Sequence, residues 1–130
     1  MNIKEAAGIT NLTPTTIRYY ERIGVVPTIP RDQHGNRIFG NLQIQWLELS
    51  RDLRNAGIHI ETIIDYVRLV EEGDDKMQAR VNLLNEAREE IENNIADLMK
   101  TLNHLQYKID NYDTHLLNIE NKLINHNGEN

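Results

Sequence analysis

No cysteine occurs among the 130 residues, so disulfides, thiolate metal sites and thiol-based redox or electrophile sensing by the chain itself are excluded. Long apolar runs are missing as well. Nothing approaches the roughly 20 residues needed to cross a bilayer, and the opening MNIKEAAGITNL has no apolar stretch after a basic start of the kind that marks a secretory leader. The expectation is a cytoplasmic protein with no membrane association. There is no nucleophile–base constellation and no phosphate-cradling glycine loop. The length suits one small domain plus an extension, so an enzyme is not expected. Histidines 34, 59, 104, 115 and 126 never pair at the i, i+4 spacing of a helical metal site. Neither a metal nor a cofactor is expected. The acidic group Glu71, Glu72, Asp74 and Asp75 reads as a solvated hinge rather than a cation site.

Excess positive charge is lacking too: the formal net charge is −6. Taken whole, that argues against a polyanionic partner, because neutralising phosphates needs lysine and arginine. The distribution says otherwise. Through Gly57, seven basic residues (Lys4, Arg18, Arg22, Arg31, Arg37, Arg51, Arg54) face five acidic ones, and the remainder carries a net −8. A basic head on an acidic stalk is the charge pattern of a nucleic-acid binder with a solvated extension.

What is present reads as a chain of helices. Ile3 to Gly8 is a short helix candidate ending at glycine. Thr13-Pro14 then supplies an N-cap and a proline at the first helical position, opening a second helix to about Ile23 with Gly24 as its left-handed stop. Ile17, Tyr20 and Ile23 fall on its inner side. Two short helices with a tight turn make a helix-turn-helix, and its second helix is the one that enters a major groove. Thr15, Thr16, Arg18 and Tyr19 would then lie against DNA, with at least one of Tyr19 and Tyr20 on the backbone and one ring packed inward. Val25 to Gly40 carries two prolines and the turn-like Asp32-Gln33-His34-Gly35-Asn36, and reads as a hairpin wing that Arg31 and Arg37 flank.

Asn41 is the expected cap of a third helix through Leu53, with Leu42, Trp46, Leu49 and Leu53 on one apolar face and Trp46 as a core anchor. A fourth helix, about Ile60 to Val70, is interrupted at residues 71–75. From there Met77, Val81, Leu84, Arg88, Ile91, Ile95, Leu98, Leu102, Leu105, Ile109, Tyr112, Leu116, Ile119 and Leu123 recur at alternating four- and three-residue steps. This is a heptad seam in which Arg88 is the one charged member, and it predicts a single helix of about 45 to 50 residues, roughly 70 Å long. Such a helix cannot bury its seam alone, so a second copy of the chain is the simplest partner.

The run Thr16-Ile17-Arg18-Tyr19-Tyr20-Glu21-Arg22-Ile23-Gly24-Val25-Val26-Pro27, followed by Gly35-Asn36-Arg37-Ile38-Phe39, closely resembles the N-terminal signature of the MerR family of bacterial transcription regulators. The likeness extends through Arg54-Asn55-Ala56-Gly57-Ile58, about the first 70 residues. It implies a mainly α-helical fold: a winged helix-turn-helix head of four helices and a small β-hairpin, then a long antiparallel dimeric coiled-coil helix. It also implies a homodimer on a pseudo-palindromic promoter operator, switching transcription by bending and untwisting the DNA in company with RNA polymerase. By position, the resemblance puts Thr15, Thr16 and Arg18 near base edges or adjacent backbone. Tyr19, Tyr20, Arg37 and Phe39 would grip the backbone or brace the wing; Arg31, Arg54 and His59 are further expected DNA contacts, His59 because its ring could reach a phosphate. Within the family, the Arg-Asn-Ala-Gly turn and the coiled-coil type look most like the aldehyde-responsive regulators, in which a cysteine lies just before that turn. Asp52 stands there instead, and the thiol chemistry does not carry over. His59 stands where a small hydroxyl residue commonly caps the fourth helix.

The expected organisation is therefore a DNA-binding domain over residues 1–72, a dimerisation helix over 73–126 and a disordered tail over 127–130. An architectural or adaptor protein that holds DNA without an effector switch is the alternative reading, and the sequence singles out no effector.

Overall fold

The computed structural model describes residues 1–128. They form α1 (Ile3–Thr10), α2 (Pro14–Ile23), α3 (Asn41–Asn55), α4 (Ile60–Glu72), a single 3₁₀ turn (Asp74–Lys76), α5 (Met77–Asp110) and α6 (Leu116–Gly128). The fold is mainly helical. The chain divides into two compact units, one of Met1–Ile91 and one beginning at Glu92. This division falls within α5 rather than at the acidic stretch 71–75, because Ala87 and Ile91 on the first part of α5 pack into the core of the first unit.

Local chemistry sets the helix ends. Asn2 caps α1: its side chain accepts the Glu5 N–H at 2.9 Å while the Glu5 carboxylate accepts the Asn2 N–H at 3.2 Å. α1 continues past Gly8 to Thr10 and stops at Asn11, which takes a left-handed φ of 58°. Asparagine is among the non-glycine residues that adopt this conformation most readily, so the stop signal lay there and not at the glycine. Residues 11–13 turn the chain into α2, where Thr13 accepts the Thr16 N–H at 3.1 Å and Pro14 takes the first turn. Gly24, at φ 87°, closes α2.

The first unit has two apolar clusters. Ala6, Ala7, Ile17, Val26, Ile29, Phe39, Ile44 and Leu47 form one, with Trp46 and Tyr20 against it. Val25, Ile58, Ile63 and Ala87 form the other, with Tyr20, Ile23, Leu53 and Ile91 against it. Tyr20 touches both. Each fully buried aliphatic or aromatic side chain contributes about 1.5–3 kcal/mol relative to exposure, so these clusters fix how α1, α2 and α3 meet.

The core face of α3 differs from the expected one. Ile44, Leu47 and Ser50 are the buried residues, while Leu42 and Leu49 are exposed and Trp46 is half-buried with its ring 5.9 Å from that of Tyr66. α3 has apolar residues on two sides, and Ser50 disguised the inner one. Its hydroxyl donates to the Val25 carbonyl at 2.6 Å, which removes most of the cost of burying it. The cap position of α3 is Gly40 rather than Asn41, and Gln43 reaches back to accept the Gly40 N–H at 2.8 Å.

In the second unit the predicted single helix is interrupted. Residues 111–115 form turns between α5 and α6, so Tyr112 leaves the seam's helix and Leu116, Ile119 and Leu123 belong to α6. Asn111, Asp113 and Thr114 are poor helix residues because their side chains compete for nearby backbone groups. Here Asn111 Nδ2 donates to the Tyr107 carbonyl at 2.9 Å and Thr114 Oγ1 to the Asn111 carbonyl at 3.1 Å. Tyr112 Oη donates to the Glu120 carboxylate across the break. As for the expected tail over 127–130, α6 runs through Gly128 and residues 129–130 lie outside the described residues.

Candidate nucleic-acid interface

The outer side of α2 presents Thr15, Arg18, Tyr19 and Arg22 to solvent, with Thr16 half-exposed beside them. The inner side is anchored by Ile17, which is fully buried, so the helix cannot roll without tearing the core. Thr16 is held by the cap: the Thr13 hydroxyl donates to the Thr16 hydroxyl at 2.9 Å. The Arg22 guanidinium lies over the Tyr19 ring, 5.3 Å from its centroid, stiffening both side chains by cation–π attraction. Together Thr15, Thr16, Arg18, Tyr19 and Arg22 line a shallow open groove of about 370 Å³.

Beside it, residues 31–37 form a minimal hairpin in which Arg31 and Arg37 make a single antiparallel bridge. Asp32 holds its turn. One carboxylate oxygen accepts the His34 N–H at 2.8 Å and the Asn36 N–H at 3.0 Å, while the Asp32 N–H donates to the Asn36 carbonyl at 2.8 Å. Arg31 Nη1 donates to the Gly35 carbonyl at 2.8 Å. Below the turn, the Ile38 N–H donates to the Pro30 carbonyl at 2.7 Å and the Phe39 N–H to the Met1 carbonyl at 2.9 Å. A cleft of about 460 Å³ lies between this loop and the start of α1, and Arg18, Arg31 and Arg37 all line it. The second helix and the hairpin therefore share one surface, with Arg18 at the junction.

Glu21 joins the two from beneath. Its carboxylate accepts Arg37 Nε at 2.7 Å and the Ile29 N–H at 2.6 Å, and Arg31 Nη2 stands 3.9 Å away. Burial pushes the Glu21 carboxyl up, but the Ile29 hydrogen bond, the Arg37 hydrogen bond and the charges of Arg37 and Arg31 outweigh it. The group is held below the ordinary carboxylate value.

Several expected contact residues are placed differently. Phe39 is 1% exposed: its ring belongs to the core and braces the hairpin from inside, so it is not a surface contact. Tyr20 is the inward member of the tyrosine pair; burial pushes its phenol up, partly opposed by the Arg54 charge. That leaves Tyr19 as the exposed ring. Arg37 keeps its place at the loop but is tied to Glu21 rather than lying loose. Arg54 Nη1 donates to the Ile58 carbonyl at 2.6 Å, closing the turn between α3 and α4. His59 stands at the cap position of α4 without a side-chain cap bond. Its ring is 79% exposed, with Nε2 3.5 Å from Glu90 Oε1.

Among the expected dimerisation residues, Leu84 is exposed on the first part of α5, whereas Ile91 packs against the core of its own unit. Ile95, Leu98, Leu102, Leu105 and Ile109 are exposed along α5, as are Tyr112 in the turn and Ile119 and Leu123 on α6, while Leu116 is half-buried. Sequence reasoning missed the role of Glu21 and the Arg22–Tyr19 pair, and it read the turn at residues 32–36 without naming Asp32 as the side chain that holds it. An Asp at the start of such a turn is the Asx-type signal that points to that role. No spacing rule links residue 21 to residue 37. Among the described residues, no group of three or more His, Asp or Glu side chains could hold a metal ion, and no helix is long and apolar enough to cross a membrane.

A small helical head with a cationic surface shared by a short exposed helix and a hairpin defines a nucleic-acid-binding class of protein. Comparison with known proteins agrees. The family model for MerR HTH family regulatory proteins matches residues 1–69. The HTH-type transcriptional regulator AdhR of Bacillus subtilis is 41% identical over 91 residues, covering 70% of this chain and 65% of that protein. A MerR family transcriptional regulator from Listeria monocytogenes is similar in structure with a TM-score of 0.82, 43% identity and coverage of 99% of this chain and 98% of that one. HiNmlR, a MerR family regulator lacking the sensor domain and solved bound to promoter DNA, has a TM-score of 0.79 and 30% identity, covering 87% of this chain and 90% of its own. The chain belongs to the MerR family of helix-turn-helix transcription regulators, and the relatives are named as regulators, not enzymes.

Proposed function

We propose that the chain acts in the cytoplasm as a homodimeric, sequence-specific transcription regulator: a winged helix-turn-helix head on a dimerising, antiparallel coiled coil, without a resident cofactor. Two heads bind a pseudo-palindromic promoter operator and change transcription by distorting the duplex beneath RNA polymerase. The observation that carries this reading is the shared surface of Arg18, Tyr19, Arg31 and Arg37, in a chain whose structural neighbour HiNmlR is bound to promoter DNA.

The physical steps follow from that surface. Guanidinium groups at the hairpin meet phosphate oxygens in charge-assisted hydrogen bonds and release condensed counterions, which supplies affinity without sequence preference. Thr15, Thr16 and Arg18, on the exposed side of α2, stand where a helix seated in the major groove reads base edges. The coiled coil fixes the separation of two heads. Forcing a duplex to satisfy both at once costs a few kcal/mol of DNA deformation, offset by the added phosphate contacts.

Selecting bound duplexes from random sequence at stated salt, then placing the recovered site in a promoter for in vitro transcription, tests the proposal. Two inverted half-sites and a changed transcript level are expected. A monopartite site, or dispersed binding with no effect on transcription, would overturn it in favour of an architectural role.

A further inference from the structure

Glu21 is a carboxylate placed beside a surface built to meet phosphates, which on charge alone is the wrong sign. Its side chain is 12% exposed. The bonds it makes explain its presence: it takes the Ile29 N–H before the hairpin, Arg37 Nε on the returning arm, and stands 3.9 Å from Arg31 on the outgoing arm. The hairpin backbone is also held by the buried Phe39 ring and by the Phe39 N–H bond to the Met1 carbonyl, but neither orients the Arg37 guanidinium. The single bridge pair and the Asp32 turn define the hairpin's shape, whereas Glu21 ties that shape to α2. Holding Arg37 through Nε leaves its side chain along the cleft that Arg18 and Arg31 also line.

We infer that Glu21 is a positioning residue for DNA binding, one partly buried carboxylate that locks Arg37, with Arg31 near it, to the second helix so that both guanidiniums meet the phosphate backbone in register with Arg18. The inference rests on the DNA-binding reading above. Two opposing effects make it testable by sign. If only charge matters, removing an anion near DNA phosphates strengthens binding. If Glu21 positions the arginines, removing it weakens binding despite the gain in net charge, and fewer counterions are released.

The experiment uses the full chain and a duplex recovered by selection, with dissociation constants measured across a salt series for wild type, Glu21→Gln, Arg37→Lys and the double variant. Thermal melts by circular dichroism verify folding. Glu21→Gln is expected to weaken binding about tenfold and to flatten the slope of log affinity against log salt by about 1 to 2, as for the loss of one or two phosphate contacts. Arg37→Lys keeps the charge but loses the Nε donor, so the same direction is expected, and Glu21→Gln should add little in its background. If Glu21→Gln fails to fold, Arg37→Lys decides through its salt slope. Wild type that binds no duplex would defeat the DNA-binding reading itself. Wild type that binds while Glu21→Gln binds equally or more tightly, or with an unchanged slope, would overturn this inference alone.

Discussion

The two units of the chain treat their apolar side chains in opposite ways. In the first, Phe39, Ile17, Leu47, Ile58 and Ile63 are almost wholly buried against neighbours from the same chain. In the second, Leu98 is 69% exposed, and Leu102, Leu105, Ile109, Ile119 and Leu123 are likewise open to solvent. Both are helical and both are rich in leucine and isoleucine, so composition does not separate them. What separates them is whether the chain supplies its own second layer. The head folds α1, α2, α3, α4 and the start of α5 around two clusters, whereas the rest of α5 and α6 leave apolar side chains open to solvent.

The difference sets the size of the effects expected from substitutions. Largest is the loss of the second unit's apolar stripe. Leu98→Asp with Leu105→Asp should leave the head folded yet weaken binding to a selected duplex by roughly 10²–10⁴-fold, the factor gained by linking two sites. A sedimentation profile that stayed dimeric would break the comparison. In the head, Phe39→Ala should destabilise by about 3–5 kcal/mol through cavity formation, seen as a lowered denaturant midpoint. If it changed DNA affinity with stability untouched, Phe39 would be a contact residue after all. Arg18→Ala removes a side chain from the surface and nothing from the core. It should cost about 1–3 kcal/mol of binding with an unchanged melting temperature.

Acid sharpens the comparison further. Because the folded Glu21 carboxyl lies below its ordinary value, it contributes stability above the ordinary carboxylate range, and that contribution is lost as pH falls through the lowered value. Melts of wild type and Glu21→Gln should therefore differ near neutral pH and converge under strong acid; a gap that widened on acidification would contradict the sign. Smallest is the break between α5 and α6. Asn111→Ala with Thr114→Ala removes two side chains that compete for backbone groups and should raise helicity, a change worth about 1 kcal/mol or less. The circular dichroism signal near 222 nm checks it.

Much of this organisation was legible in the sequence. Helix starts and stops came through where one residue carries the signal, as at Thr13-Pro14 and Gly24, and the surface of Arg18, Tyr19, Arg31 and Arg37 followed from their spacing around α2 and the turn. The face of α3 did not, because Ser50 hides the buried side while Leu42, Trp46 and Leu49 advertise the outer one, and only tertiary packing settles which wins. The heptad seam ran over Leu98 through Ile109, all exposed on α5, yet carried straight through residues 111–115, since periodicity does not register side chains that compete with their own backbone. Glu21 was invisible for a different reason: its partners lie at residues 29, 31 and 37, a meeting that depends on the path of the hairpin.

The most direct test is the mass of the complex formed with a duplex selected from random sequence, measured by native mass spectrometry or sedimentation velocity. Two chains on one duplex, each lost when the other is, is the expected result. A single chain bound to one duplex at saturation would contradict the account.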